Sequence, residues 1–401
     1  MLEALGLVLA FLTVVVLVMK KINYGLALTV GAVLLGVFSG LSHIQLLHVL
    51  IRTLTERVTL DLAIIVSLIP VLAYCMKETG MIDDLIDGVK RALTGRSVLA
   101  ILPALMGALP MLGGALLSAP LIDDEAEKLG LDRNEKSFVN VWFRHWNFFI
   151  YPLSSPLILV AGLTGFSIYT LIFANLLPVI LYVTLGYIVS IRKLGGRDAS
   201  TSRDQKAFIP VFVGISPILL TVILNLLGLH MALALSAGIL LTFILRRYNM
   251  RGAVKLLWKG FDWRLPFAIL GVMYFRTMVE YTDIFSRVFP ILSSSGIPLF
   301  LLLILMAWTI GLATAMPSAG IAMIFPVALT SQGTLDLTVI EILYSTLIFG
   351  YLISPMHLCL ILTVEYYKAH LHTVYRKLIP TALVSYLIFV SSALTVGRWI
   401  T

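Results

Sequence analysis

The sequence predicts an all-α polytopic membrane protein with about ten transmembrane helices plus two re-entrant hairpins, arranged as two inverted-topology repeats. Three observations carry that expectation. The chain of 401 residues is 59% hydrophobic and 12% charged, with a mean hydropathy of +1.00, far from the roughly 25% charged content of soluble domains. Each half holds one Gly/Pro-interrupted apolar segment, 107–120 (GALPMLGGALLSAP) and 311–326 (GLATAMPSAGIAMIFP). The positive charges also segregate once loops are assigned alternately to two sides.

Taken in order, apolar windows place spans at 3–19, 24–40, 58–77, 137–163 and 168–190, with a broken segment at 97–122. The first span is followed by Lys20 and Lys21 rather than preceded by basic residues, so it reads as a retained span and not a signal peptide. The second half repeats the order at 207–227, 231–246, 263–281, 338–364 and 379–397, with its broken segment at 297–328. Amphipathic connectors occupy matching slots, 43–54 with 250–259 and 81–93 with 283–292. Residue echoes follow the same register: Met76 and Glu78 with Met278 and Glu280, Gly107 with Gly311, Tyr151 and Ser154 with Tyr351 and Ser354. An odd number of spans per half makes the second copy enter from the opposite side. The expected division is 1–191 for the first repeat, 192–206 (RKLGGRDASTSRDQK) for a cytoplasmic linker and 207–401 for the second repeat.

Alternate loop assignment leaves only Arg52, Arg57, Arg287 and Arg398 on one side, with Arg144, Arg264 and Arg276 inside spans and the remaining Lys and Arg on the other side. The positive-inside rule makes the crowded side cytoplasmic and both termini extracytoplasmic. The formal charge of +8 therefore reports orientation in the cytoplasmic membrane. No soluble stretch is long enough for a basic nucleic-acid-binding domain. Cys75 and Cys359 lie in apolar spans with no metal or disulfide spacing, and read as small core residues.

Broken backbone at membrane depth is tolerated only in protein or beside a polar cavity, so the interrupted segments mark a candidate binding site. At the first tip, Pro110, Gly113, Gly114 and Ser118 permit close approach of main chain to a ligand; at the second, Thr314, Pro317, Ser318, Ala319 and Gly320 do so. The span after each hairpin carries its own break, at Pro152, Ser154, Ser155 and Pro156 and at Ser354 with Pro355. Carbonyls freed there, near Gly113, Ser154, Ser318 and Ser354, would suit Na⁺ as a coupling ion. Asn140, Arg144, Asn147, Tyr151 and Ser154 fall along one helical face, a polar stripe reaching toward the midplane. Arg144 at that depth is expected to face protein, water or an anion, with snorkelling as the plainer alternative. His145 is expected to be packed rather than a proton carrier, and His357 to line the cavity or the core. Arg276 and Glu280, spaced i, i+4, are expected to pair. Tyr344 stands where the second copy would match Arg144, with Glu341 one turn earlier.

Spans flanking an amphipathic connector, then a hairpin with a Gly/Ser/Pro tip, then a span broken at Ser/Pro, all duplicated in inverted order, resemble the ion transporter superfamily. That group includes divalent-anion/sodium symporters, citrate carriers, gluconate permeases and arsenite pumps. More narrowly, the chain is similar to an uncharacterised archaeal and bacterial integral-membrane family within it. The resemblance implies a homodimer with a scaffold domain and a transport domain, each drawn from both repeats, the latter moving as an elevator. Sodium-coupled relatives carry Ser-Asn-Thr at the hairpin tips; this chain has Leu112, Gly113, Gly114 and Pro317, Ser318, Ala319. That difference leaves Na⁺ and H⁺ coupling both open.

The expected function is a secondary active transporter of a small organic anion such as a carboxylate, with no cofactor beyond a coupling ion. A proton-coupled exporter of a metalloid oxyanion is the alternative. A channel and an intramembrane enzyme are the readings from other classes. No H-E-x-x-H and no G-x-x-x-x-G-K-[ST] sequence occurs.

Overall fold

In the computed structural model, residues 2–93, 95–109, 114–194, 207–284, 298–332 and 335–400 are described. The described residues are helical, without strands. The first half runs α1 (Leu2–Met19), α2 (Tyr24–Phe38), α3 (His43–Thr55), α4 (Arg57–Glu78), α5 (Met81–Ala92), α6 (Arg96–Ala108), α7 (Gly114–Lys128), α8 (Arg133–Arg144), α9 (Asn147–Ile150), α10 (Ser155–Thr164) and α11 (Ile168–Gly186), which ends in a π-helical turn, Tyr187–Ile191. The second half runs α12 (Phe208–Leu226), α13 (Met231–Leu245), α14 (Met250–Gly260), α15 (Arg264–Thr282), α16 (Leu299–Thr314), α17 (Pro317–Gln332), α18 (Leu337–Leu352), α19 (Leu358–Tyr367) and α20 (Leu371–Ile400). The expected tip residues Pro110 and Gly113, most of the linker, and most of the 283–292 connector lie outside the described residues.

Local chemistry sets many boundaries. Capping boxes open α3, through Ser42 and Gln45, and α8, through Asp132 and Glu135, each satisfying main-chain N–H groups that the first turn leaves free. Asn23, Asn249 and Asp336 cap α2, α14 and α18 in the same way. Gly165 closes α10 at φ +77°, a left-handed conformation that a side chain would strain.

Five helices are long and apolar enough to cross a membrane by length and composition among the described residues: Arg57–Glu78, Arg133–Thr164, Ile168–Ile191, Phe208–Leu226 and Leu371–Thr395. Shorter apolar helices, including α2, α13, α16 and α18, supply further lipid-scale segments. α15 is in neither group, because Arg264, Arg276 and Glu280 lower its apolar character. It is surrounded by α2, α3, α4 and α17, and Arg276 pairs with Glu280 at 2.8 Å and approaches Glu56 at 3.8 Å.

Packing sorts the helices into two layers. α2 lies on α1 and α15, and α13 on α12 and α4, with α3 against α15 and α14 against α4. Small residues allow the closest crossings: a Cβ at Gly271 would overlap the Gly25 carbonyl. The other layer joins α6–α11 to α16–α20. α7 packs on α19 and α17 on α10; α8 touches α20 and α11 touches α18. The layers meet where α4 contacts α10, α15 contacts α17 and α1 contacts α16.

At one end of the second layer, Lys136 joins α8 to α7. Its ammonium lies 2.5 Å from Asp123 and 3.1 Å from Glu127, and sits 5.7 Å over the Tyr367 ring. The lysine side chain is only 7% exposed, whereas the carboxylates keep access to water. Lys136→Met is therefore expected to destabilise by about 1–3 kcal/mol, below the cost of orphaning a fully buried partner. Hydrogen exchange should quicken first in α7; unchanged exchange there would refute the tie.

Candidate functional site

A cavity of about 590 Å³ lies between the two layers. Pro70, Tyr74 and Lys77 of α4, with Gly260, Asp262 and Leu265 around the start of α15, form one wall. Gly107 to Leu109 at the end of α6, the broken segment from Arg144 to Pro156, and Tyr351 and Cys359 form the other. The volume falls in the range of small-molecule sites, roughly 300–1,000 Å³.

The broken span brings polar groups to this wall because its helix stops twice. α8 ends at Arg144, where the His145 N–H bonds the Trp142 carbonyl, and α9 ends at Ile150 before α10 starts at Ser155. The second stop matches the Ser/Pro break read from sequence; the first has neither Gly nor Pro at its centre. The expected continuous stripe is consequently divided. Asn140 turns into the protein, donating to the Ala115 carbonyl at 3.2 Å and to Thr363 Oγ1 at 3.0 Å. Arg144, Asn147, Tyr151, Ser154 and Ser155 line the cavity.

Arg144 is 7% exposed, too buried for a snorkelling side chain, and its Nη1 has no hydrogen-bond partner among the described residues. Asn147 donates through Nδ2 to the Gly107 carbonyl at 2.7 Å, leaving Oδ1 without a partner. Ser154, Ser155 and Pro156 present the start of α10 to the same space. There the helix dipole and free N–H groups favour negative charge. Ser154 Oγ has no partner among the described residues, and the Tyr344 hydroxyl donates to the Phe148 carbonyl at 2.5 Å. A buried guanidinium with a free N–H, an amide acceptor and a helix N-terminus thus share one concave wall.

α6 and α16 each sit hard against the broken segment that follows them in the chain. A Cβ at Gly107 would overlap the Arg144 main-chain carbonyl, and one at Gly311 would lie 2.6 Å from the Leu347 carbonyl. Ser354 Oγ donates to the Leu312 carbonyl at 2.5 Å and accepts from the Met356 N–H at 3.1 Å. Asn147 and Ser354 thereby perform equivalent tasks.

The other sequence-derived candidates lie away from this cavity wall. Gly114 is the first residue of α7. Ser118 is fully buried and donates to the Ala115 carbonyl at 3.2 Å. Thr314 donates to the Ile310 carbonyl at 2.8 Å, and Ser318 is half-buried in the first turn of α17. A Cβ at Gly320 would overlap Leu347, so this glycine permits α17 to pack on α18. His357 is fully buried beside the wall, its ring 4.7 Å from His145 and 4.2 Å from Tyr351.

Three wall features escaped the sequence reading. His145 and Cys359 line the cavity, although each resembles core from its apolar neighbours. The α4 and α15 wall, with Tyr74, Lys77 and Asp262, carries no local motif. Elsewhere, Glu341 is buried and accepts from Asn175 Nδ2 at 2.6 Å, joining α18 to α11.

Comparison with solved structures gives a neighbour that matches over most of both chains, the YdaH transporter of Alcanivorax borkumensis. It is 15% identical with a TM-score of 0.59, over 88% of this chain and 87% of that one. At that identity the likeness is one of fold, and with the apolar helices it fits a multi-pass membrane architecture. No curated protein matches the chain. A family model described as a protein of unknown function, DUF401, matches residues 3–396, and the chain belongs to that family.

Proposed function

We propose that the protein is a secondary active transporter that carries a small organic anion across the cytoplasmic membrane. The observation that carries this reading is Arg144: a guanidinium buried on the wall of a 590 Å³ cavity with Nη1 unpartnered. An uncompensated charge at membrane depth is costly and marks a functional site by default. A carboxylate is the complementary group, because it accepts the guanidinium's forked donors. The α10 N-terminus adds to the attraction, and Asn147 Oδ1 is free to accept from a hydroxyl or other donor on the same substrate.

The mechanism proposed is elevator-type alternating access between inverted repeats, with ten crossings, two hairpins and both termini extracytoplasmic. Its support is the pairing of contacts. α2 on α15 answers α13 on α4, α7 on α19 answers α17 on α10, and α8 on α20 answers α18 on α11. The cavity lies on the seam between the layers, where sliding would carry it across. A homodimer through the first layer belongs to the same reading. Coupling is to Na⁺ or H⁺; Glu341, buried with an amide partner and no cation among the described residues, favours a proton.

The test is uptake into proteoliposomes from a panel of carboxylates and oxyanions, with Na⁺ and pH gradients imposed separately. One carboxylate should accumulate against its concentration gradient, and only while one of those gradients persists. Flux that merely follows concentration, indifferent to both gradients, would remove the symport reading.

A further inference from the structure

We infer that His145, His357 and Cys359 form a binding site for a borderline-soft transition-metal ion of the Zn²⁺ class at the edge of the cavity. One ligand atom from each residue lies within 4.8 Å of the others. The three come from different places in the chain: His145 from the break after α8, His357 from the break after α18, and Cys359 from the first turn of α19.

The histidines are oriented as ligands. His145 Nδ1 lies 2.5 Å from the Val141 carbonyl and His357 Nδ1 lies 3.1 Å from the Leu352 carbonyl. A carbonyl can only accept, so each Nδ1 carries the proton and each Nε2 keeps a lone pair free for a metal. A metal-binding histidine commonly makes this outer hydrogen bond, which fixes both tautomer and ring angle. His357 is fully buried, yet its Nε2 has no partner. Native proteins seldom leave such an acceptor empty. His145 Nε2 has only a long contact, 3.4 Å, with the Tyr351 hydroxyl.

The donor set selects the ion. Two imidazoles and a thiol suit Zn²⁺ and its late first-row neighbours, whereas Na⁺, Mg²⁺ and Ca²⁺ prefer oxygen. Tetrahedral zinc bonds of about 2.0–2.3 Å place ligand atoms roughly 3.3–3.6 Å apart, so closure requires movement on the order of an ångström. The helix breaks beside both histidines provide that freedom. Binding expels the Cys359 thiol proton to solvent and leaves a sulfur–metal bond, so the site gains one net positive charge rather than the ion's two. Arg144 opposes a cation here, since its charge acts on both imidazoles. The thiolate offsets part of that, and the tetrahedral set would leave one position for water or an anion. The assignment rests on the three ligands and is separable from the anion reading.

The test uses the purified full-length chain in detergent, stripped with chelator and titrated with Co²⁺ and then Zn²⁺. One ion per chain should bind, and Co²⁺ should give a sulfur-to-cobalt charge-transfer band in the near ultraviolet that Zn²⁺ abolishes. Cys359→Ser should remove the band, and His357→Gln should weaken binding at least tenfold. Arg144→Gln should retain the band even though the anion reading expects it to lose transport, so the two proposals fail separately. Should either ligand variant not fold, alkylation of the unsubstituted chain decides: Zn²⁺ should slow modification of Cys359 at least tenfold and leave Cys75 in α4 unaffected. Folded protein that takes up no stoichiometric ion, a band that survives Cys359→Ser, or Cys359 alkylation indifferent to Zn²⁺ would overturn the assignment.

Discussion

Arg144→Gln is expected to abolish concentrative uptake while leaving the chain at least as stable as before. Both effects have one source. The guanidinium is buried, its Nη1 lacks a partner, and an unpaired charge taken from water costs several kcal/mol unless cavity water relieves it. Glutamine removes that cost, so the melting temperature should hold or rise, by about 1 kcal/mol or more in stability. It also removes the charged donors proposed to hold the substrate. Hydrogen bonds to charged groups contribute about 1.5–3 kcal/mol each, so uptake at limiting substrate should fall on the order of 10–100-fold per bond. Arg144→Lys should fall between, since it keeps the charge but loses the planar fork. Unchanged uptake in Arg144→Gln would discard the proposed role. A large loss of stability would instead make Arg144 a structural residue.

The second large effect is expected at Gly107. Here the added methyl meets the main-chain carbonyl of Arg144, and a carbonyl in a packed helix cannot rotate away as a side-chain end can. Relief requires α6 to back off from α8, stretching the 2.7 Å bond from Asn147 to the Gly107 carbonyl. Overpacking of this kind costs about 1–3 kcal/mol. Gly107→Ala should therefore lower the thermal unfolding midpoint measurably, and Gly311→Ala should do the same through the Leu347 carbonyl. Gly162→Ala is the control, because the atoms nearest its methyl belong to the Leu62 side chain, which can yield. Equal shifts in all three would show that the close main-chain approach is not what matters.

Much of the helical order was legible, because it rests on local signals. Apolar runs located α2, α4, α12 and α13 to within a few residues, and the Ser42 and Asp132 capping boxes mark starts that are visible in one dimension. Polar residues in an apolar span led to Arg144, Asn147, Tyr151, Ser154 and Ser155, which share one wall. The stop after Arg144 was not legible: the sequence RHWN has no glycine or proline, so helical periodicity runs straight through it. Thr314 and Gly320 looked like cavity residues for their size and polarity, but a hydroxyl can be satisfied within its own helix and a glycine can serve packing. The meeting of His145 with His357 and Cys359 depends on two distant breaks converging. No spacing in the chain encodes it.

The close join of α6 and α16 to the broken segments has an evolutionary consequence. On both sides the acceptor is a main-chain carbonyl, Gly107 for Asn147 and Leu312 for Ser354, and every residue type supplies one. Only a small donor and a glycine-sized gap need persist. Cavity-facing side chains on the same segments are then free to diverge, and the chemistry of the cavity can drift without loosening the frame that presents it.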